Sequence, residues 1–279
     1  MLTKLDVDDK QGHTMSFPLQ DSSAGYTIKS IDGLDPVKAT ITSSSFAQLD
    51  GSQQQSARRE NRNIIVSIGM EPYSGGSTVR ALRTALYAYF MPKAFLIFKF
   101  YEDDVLTATI EGQVESCEAP LFSKDPELKV SVICFDPAFQ APTPTVVNGN
   151  TVSTSTEQTI DYPGTIEVGY DFQLNINRTI AAGSGFTIYN RRPGGTVAQM
   201  DIICPVALAA GDVVKISTKA RAKTATLIKS GGATSSYMYA VSGQASWAPL
   251  YPGNNYFRVY CPGTAIPFTV TYTTKYGGL

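Results

Sequence analysis

Residues 165–178, TIEVGYDFQLNINR, alternate apolar and polar side chains through six cycles. Successive side chains of a β-strand point to opposite faces, so this alternation predicts a half-buried antiparallel strand. The apolar positions are Ile166, Val168, Tyr170, Phe172, Leu174 and Ile176. Shorter strand patterns separated by Gly-, Pro- and Asn-rich turns follow near 186–189, 200–204, 212–217, 224–229, 237–241, 256–261 and 267–273. Residues 141–279 are therefore predicted to form a β-sandwich domain.

The first half of the chain also reads as mainly β, with one helix. Residues 105–118 alternate in the same way, and 94–101 form a hydrophobic run. Between 78 and 90 the apolar residues instead recur at three- and four-residue spacing, which predicts a helix. Ser77 or Thr78 can cap it, and Pro92 ends it. Residues 1–140 are thus predicted to form a β-rich domain with one packed helix, and the Pro-rich segment 137–157 to mark the boundary.

Residues 46–63, FAQLDGSQQQSARRENRN, are almost entirely polar. We interpret them as a long excursion between strands, or as an extended hairpin arm that turns around Asp50-Gly51. A free arm of this length loses conformational entropy for no burial, so we expect it to wrap a neighbouring subunit. The candidate oligomerisation residues are Gln48, Asp50, Gly51, Arg58, Arg59 and Arg62.

Composition argues against the common catalytic and metal-binding chemistries. The chain has a single histidine, His13, in a polar N-terminal segment, which is a poor place to hold a general base. Its four cysteines form no CxxC pair, so a zinc site is not expected. We therefore assign no catalytic, cofactor-binding or metal-binding residue. No run of about 18 apolar residues is present, and we expect neither a signal peptide nor membrane insertion.

Aromatic residues near the C-terminus support an alternative function. Seven of the 15 tyrosines and the only tryptophan lie after residue 236. Sandwich domains that bind sugars use exposed aromatic faces, although aromatic residues in β-proteins more often belong to cores or interfaces. The alternative function is therefore a carbohydrate-binding accessory module that attaches to the host envelope through the second domain, with Trp247, Tyr251 and Tyr256 as the candidate glycan contacts. A carboxylate hydrolase is a third hypothesis. It needs two acidic residues in a cleft, and the sequence offers no pair to name.

Several segments, in order, resemble the distal tail proteins of long, flexible-tailed bacteriophages. In the first half they are IKSIDGLDPVKATI, ARRENRNIIVSI, a helix leading to YFMP, TATIEGQVES and VICFDPAF. In the second half GTIEVGYDF, LAAGDVVKIST, LYPGNNYF and VTYTTKYGGL are similar to that family's C-terminal galectin-like sandwich. The resemblance spans nearly the whole chain.

The resemblance implies a structural virion protein and no enzyme. Such proteins form a homohexameric ring, built by a first domain with a tail-tube-like fold, at the tail tip or baseplate. The ring meets the tail tube protein on one face and the hub or tail-fibre protein on the other. Its channel passes the tape-measure protein and then DNA, without specific binding, and the second domain can carry a receptor-binding protein. Assembly would take place in the host cytoplasm.

Charge differs between the two halves. Residues 1–140 carry 13 basic and 18 acidic residues, whereas 141–279 carry 10 and 6. An acidic first half would keep DNA from adhering to a channel that it lines, although solvated faces account for the asymmetry equally well.

Overall fold

A computed structural model describes residues 1–19, 21–45, 47, 50–72, 77–121, 123–192 and 194–279. The chain divides into two compact units. Unit 1 comprises Met1–Pro142 and Tyr276–Leu279, and unit 2 comprises Thr143–Lys275. The predicted domains 1–140 and 141–279 differ from these units chiefly at the C-terminus, where the last four residues belong to unit 1.

Unit 1 is built on an antiparallel sheet with the strand order β2-β1-β7-β8-β9-β6-β3. A short further strand, β10, pairs with β8 through Gln140 and Thr109. The strands of unit 1 are β1 Leu2–Asp8, β2 Thr14–Pro18, β3 Tyr26–Asp32, β4 Ala39–Ser44, β5 Gln53–Arg59, β6 Arg62–Met70, β7 Phe95–Glu102, β8 Val105–Glu118, β9 Glu127–Cys134 and β10 Phe139–Gln140.

The predicted helix forms as α1, Val79–Phe90, and packs on the sheet of unit 1. Thr78 is its N-cap, because the Thr78 hydroxyl accepts a hydrogen bond from the Ala81 amide at 3.2 Å. Leu82, Leu86 and Phe90 are buried in the same hydrophobic cluster as the strands. The prediction of a helix at 78–90 that ends before Pro92 is confirmed.

Strands β4 and β5 form a separate two-stranded sheet, in which Ala39 lies opposite Arg59. We call residues 39–59 the hairpin arm. Its extent corrects the predicted arm of 46–63, because hydrogen bonding between the two strands begins seven residues earlier. Residue 62 starts β6, inside the main sheet of unit 1.

Unit 2 is a β-sandwich. One sheet has the order β11-β20-β13-β16-β17-β18, and the other has the order β12-β19-β14-β15. Phe172 of the first sheet packs against Phe186 and Phe257 of the second, with ring centroids 6.2 and 6.5 Å apart. The strands are β11 Thr145–Asn150, β12 Gln158–Tyr162, β13 Asp171–Asn175, β14 Gly185–Arg191, β15 Val197–Ile203, β16 Val213–Ser217, β17 Thr224–Ile228, β18 Thr234–Ser236, β19 Gly253–Tyr260 and β20 Pro267–Tyr272, while β21, Lys275–Tyr276, spans the chain boundary between the units.

Two details of unit 2 refine the sequence-based reading. All six apolar positions of 165–178 are buried, as predicted, but the hydrogen-bonded strand covers only Asp171–Asn175. The strand predicted at 237–241 is wrong, because Met238–Ala240 form a turn of 3₁₀-helix. Tyr237 and Ala240 are both buried, and residues three apart share a side in such a turn.

Candidate functional site

The hairpin arm holds most of the candidate oligomerisation residues. Asp50 and Gly51 lie at its tip. Gly51 has a φ of +94°, and a β-carbon added to it would have no atom within 4 Å. Arg58 and Arg59 lie on β5, whose seven residues are all exposed. Gln48 lies outside the described residues.

Neither face of the hairpin arm covers a hydrophobic core among the described residues. Ile41 of β4 is 64% exposed, and the cross-strand contacts that hold the arm are polar, such as Gln55 Nε2 donating to Ser44 Oγ at 2.7 Å. An isolated two-stranded hairpin is only marginally stable in water. The arm therefore presents both of its faces for contact with another surface.

Arg62, predicted to belong to the arm, is instead the largest fully buried side chain of the molecule's described part, at 1% exposed. Its guanidinium donates hydrogen bonds to the carbonyl oxygens of Pro137 at 2.8 Å and Asp35 at 2.7 Å, and also to those of Gly33 and Gly277. It also lies over the ring of Phe139, 4.3 Å from the centroid. Burial lowers the pKa of Arg62, opposed by the neighbouring Cys134 and Asp35. We call this arrangement the Arg62 clamp.

The Arg62 clamp joins segments that are far apart in the sequence. The carbonyls come from the turn after β3, from the segment before β10 and from the C-terminal residues of unit 1. A buried charge is tolerated only when hydrogen bonds replace its hydration, and four carbonyl acceptors with an aromatic face do so here. Arg62 is thus a structural residue of unit 1, and the prediction that it lies on the arm is corrected.

Several of the acidic and sulfur-containing residues of the described segments are held in ion pairs or buried sites. Asp8 pairs with Lys99 at 2.9 Å, and this hydrogen bond holds the pKa of the Asp8 carboxyl below its ordinary value. His13 pairs with Asp9 at an exposed site. Burial raises the pKa of Cys134 to about 12, which leaves it a protonated, unreactive thiol at neutral pH. Within the described residues no group of three or more His, Cys, Asp or Glu side chains could hold a metal ion.

Unit 2 brings two of the three candidate glycan contacts together. Trp247 and Tyr251 line one pocket of about 360 Å³, beside the segments that join β14 to β15. Tyr256 is outside this pocket. It lies opposite Arg191 on neighbouring strands, with the guanidinium 3.9 Å from its ring centroid, and Arg191 in turn pairs with Glu157 at 2.8 Å.

The pocket also contains polar residues that the sequence analysis did not single out. Arg192 lies over the ring of Tyr251, 5.4 Å from its centroid, and donates to the Thr196 hydroxyl at 3.1 Å. Asn190 is 3% exposed, and its Nδ2 donates to the Pro249 carbonyl at 3.0 Å. Its Oδ1 is buried and has no hydrogen-bond partner among the described residues. The sequence does distinguish Asn190, because this polar residue occupies an inward position in the alternating pattern of β14.

No helix in the described ranges is long and apolar enough to cross a membrane.

A two-unit β-protein of this kind, with an antiparallel sheet carrying one helix followed by a sandwich, has a counterpart among solved structures. The chain shares its fold with the SPP1 Dit protein (gp 19.1), whose crystal structure is described as a paradigm of the hub adsorption apparatus in phages that infect Gram-positive bacteria. The match has a TM-score of 0.65 and 13% sequence identity, and it covers 99% of each chain. The resemblance to distal tail proteins is thus confirmed at the level of the fold.

Other matches are more distant. A chain of the phage P2 baseplate, in its Ca-activated conformation, matches with a TM-score of 0.45 and 8% identity over 97% of this chain and 98% of that one. The Sr-activated form gives a TM-score of 0.44 at 8% identity, over 96% and 97% of the two chains. No protein-family model and no curated protein sequence matches the chain.

Proposed function

We propose that this chain is a structural, non-enzymatic protein of a phage tail tip, and that six copies form a ring there. The observation that carries the proposal is the fold shared with the SPP1 Dit protein from end to end, since 99% of both chains is covered. A match that included only the sandwich would support far less, because such sandwiches serve many functions.

The hairpin arm supports the assembly part of this proposal. A ring of identical subunits needs a head-to-tail interface, in which a surface of one copy meets a different surface of the next. The arm offers such a surface, since all seven residues of β5 are exposed and β4 adds the apolar Ile41. Docking on a neighbour would supply the burial that two strands alone lack.

In this proposal unit 1 builds the ring around a channel, and unit 2 is a galectin-like domain that projects outward. The ring joins the tail tube protein to the hub or tail-fibre protein, and the tape-measure protein and DNA pass through it. Unit 2 would present a surface to a receptor-binding protein. The site of action is the tail tip of the virion, after assembly in the host cytoplasm.

The mass of the purified chain in solution tests the ring. We expect light scattering after gel filtration to give six times the chain mass of 30.1 kDa, and negative-stain images to show six-fold rings with a central hole. A chain that stays monomeric at every concentration, with no rings in the images, would contradict the proposal.

A shortened arm tests the role of residues 39–59. Ala39 and Arg59 are direct partners, and the Glu60 amide donates to the Lys38 carbonyl at 3.0 Å, so residues 40–58 can be replaced by an Asn-Gly turn. We expect a monomer with an unchanged melting temperature. Rings formed by this variant would remove the arm from the interface, and a large loss of stability would make the arm part of the fold of unit 1.

A further inference from the structure

The pocket of unit 2 combines aromatic, cationic and hydroxyl groups within a space of about 360 Å³. That volume lies at the small end of the range for ligand sites, which is on the order of 300–1,000 Å³. Trp247 and Tyr251 line it and are half-buried. Arg192, Thr196 and Ser246 are exposed at its edge.

We propose that this pocket binds a saccharide unit that carries a carboxylate. The C–H faces of a pyranose ring are apolar and stack on aromatic side chains, which is what Trp247 and Tyr251 supply. The hydroxyl groups of a sugar exchange hydrogen bonds with side-chain hydroxyls, which Thr196 and Ser246 supply at the edge of the pocket.

Charge selects the acidic class of sugar. The described residues that line the pocket include one cation, Arg192, and no acid. A second cation is near, since the Lys223 ammonium lies 5.9 Å from the centroid of the Trp247 ring. Guanidinium groups bind carboxylates through paired hydrogen bonds, which adds geometric selectivity to the attraction.

This inference goes beyond the ring proposal and does not depend on it. Every lining residue belongs to unit 2, whereas the hairpin arm belongs to unit 1. A chain that failed to form rings could still bind a sugar here, and a ring could form without binding one.

Trp247 is the only tryptophan of the chain and lines this pocket, so its fluorescence is the signal to follow. We would titrate the full chain with the trisaccharide of galacturonic acid and, as the matched neutral sugar, the trisaccharide of galactose. We expect a saturable shift of the emission with the acidic sugar and at least about tenfold weaker binding of the neutral one.

Three variants assign the binding to these side chains. Arg192→Gln should raise the Kd for the acidic sugar by about tenfold and leave the neutral one nearly unchanged. Tyr251→Ala should weaken the binding of both sugars. Tyr256→Ala is the control, because it removes a tyrosine of the same sandwich that lies outside the pocket. Circular dichroism confirms that each variant is folded.

Three outcomes would contradict the proposal or a part of it. The absence of a saturable change with either sugar would overturn the proposal. So would a titration that Arg192→Gln and Tyr251→Ala leave unaltered, because the fluorescence change would then arise elsewhere. Equal affinity for the two trisaccharides would overturn the assignment to acidic sugars.

Discussion

The hairpin arm and the Arg62 clamp contain the same sequence elements in opposite surroundings. Each has an Asp-Gly dipeptide with a left-handed glycine, at φ +89° for Gly33 and +94° for Gly51. A β-carbon on Gly33 would lie 2.0 Å from the Asn63 carbonyl oxygen, whereas one on Gly51 would meet open space. The dipeptide predicts a turn in both places, and only the tertiary structure determines how much that turn matters.

The arginines differ in the same way. Arg58 and Arg59 lie on the exposed strand β5, while Arg62, three residues later, is 1% exposed and holds four carbonyl groups. Arginines that are close in the sequence therefore have different roles here. The arm presents charge to other surfaces, and the clamp uses charge to hold one unit together.

The largest expected effect comes from removing the clamp. Arg62→Leu removes the donor from the part-buried hydrogen bonds to the carbonyls of Gly33, Asp35 and Pro137, and an acceptor left unsatisfied away from water costs about 1–3 kcal/mol. We expect a loss of about 4 kcal/mol in the free energy of unfolding of unit 1, after partial relaxation. Urea unfolding followed by circular dichroism measures it.

Arg62→Lys is the matched variant, because it keeps the charge but lacks the planar fork that reaches several acceptors. We expect Arg62→Lys to show more than half of the loss in unfolding free energy that Arg62→Leu shows. If both variants have the same urea midpoint of unfolding as the wild type, the clamp contributes nothing to stability. Arg62 would then not differ from Arg58 and Arg59 in its contribution to stability.

A smaller effect separates the two glycines. Gly33→Ala and Gly51→Ala share the penalty for a side chain at positive φ, about 1 kcal/mol. Only Gly33→Ala adds a clash with a backbone carbonyl, so we expect it to lose about 3 kcal/mol, and Gly51→Ala, in an arm that covers no core, no more than about 1 kcal/mol. Thermal unfolding of the pair provides the comparison, and equal losses would show that the turn after β3 can move away from Asn63.

The sequence predicted those features that depend on a local period. The buried faces of 105–118 and 165–178 and the helix at 78–90 follow from spacings of two and of three to four residues. The polarity of residues 46–63 indicates an arm, but composition does not show that the pairing between β4 and β5 begins at Ala39.

Contacts between residues far apart in the chain could not be predicted from the sequence. The acceptors of Arg62 come from positions 33, 35, 137 and 277, so its polar neighbours in the chain suggested a solvated arm instead. For the pocket, aromatic content identified Trp247 and Tyr251 but also included Tyr256. Arg192 and Asn190 join the first two only through the pairing of β14 with its neighbours.

The smallest effect on stability is expected in the arm itself. Replacing Arg58 and Arg59 together by Ala should change the free energy of unfolding by no more than about 0.5 kcal/mol, because both side chains are exposed. The same variant should lower the fraction of rings seen by light scattering, if these charges contact the next subunit. Arg80→Ala with Lys124→Ala, which removes two exposed cations elsewhere in unit 1, is the charge-matched control. Equal loss of rings in both variants would mean that net charge, and not the arm, controls assembly.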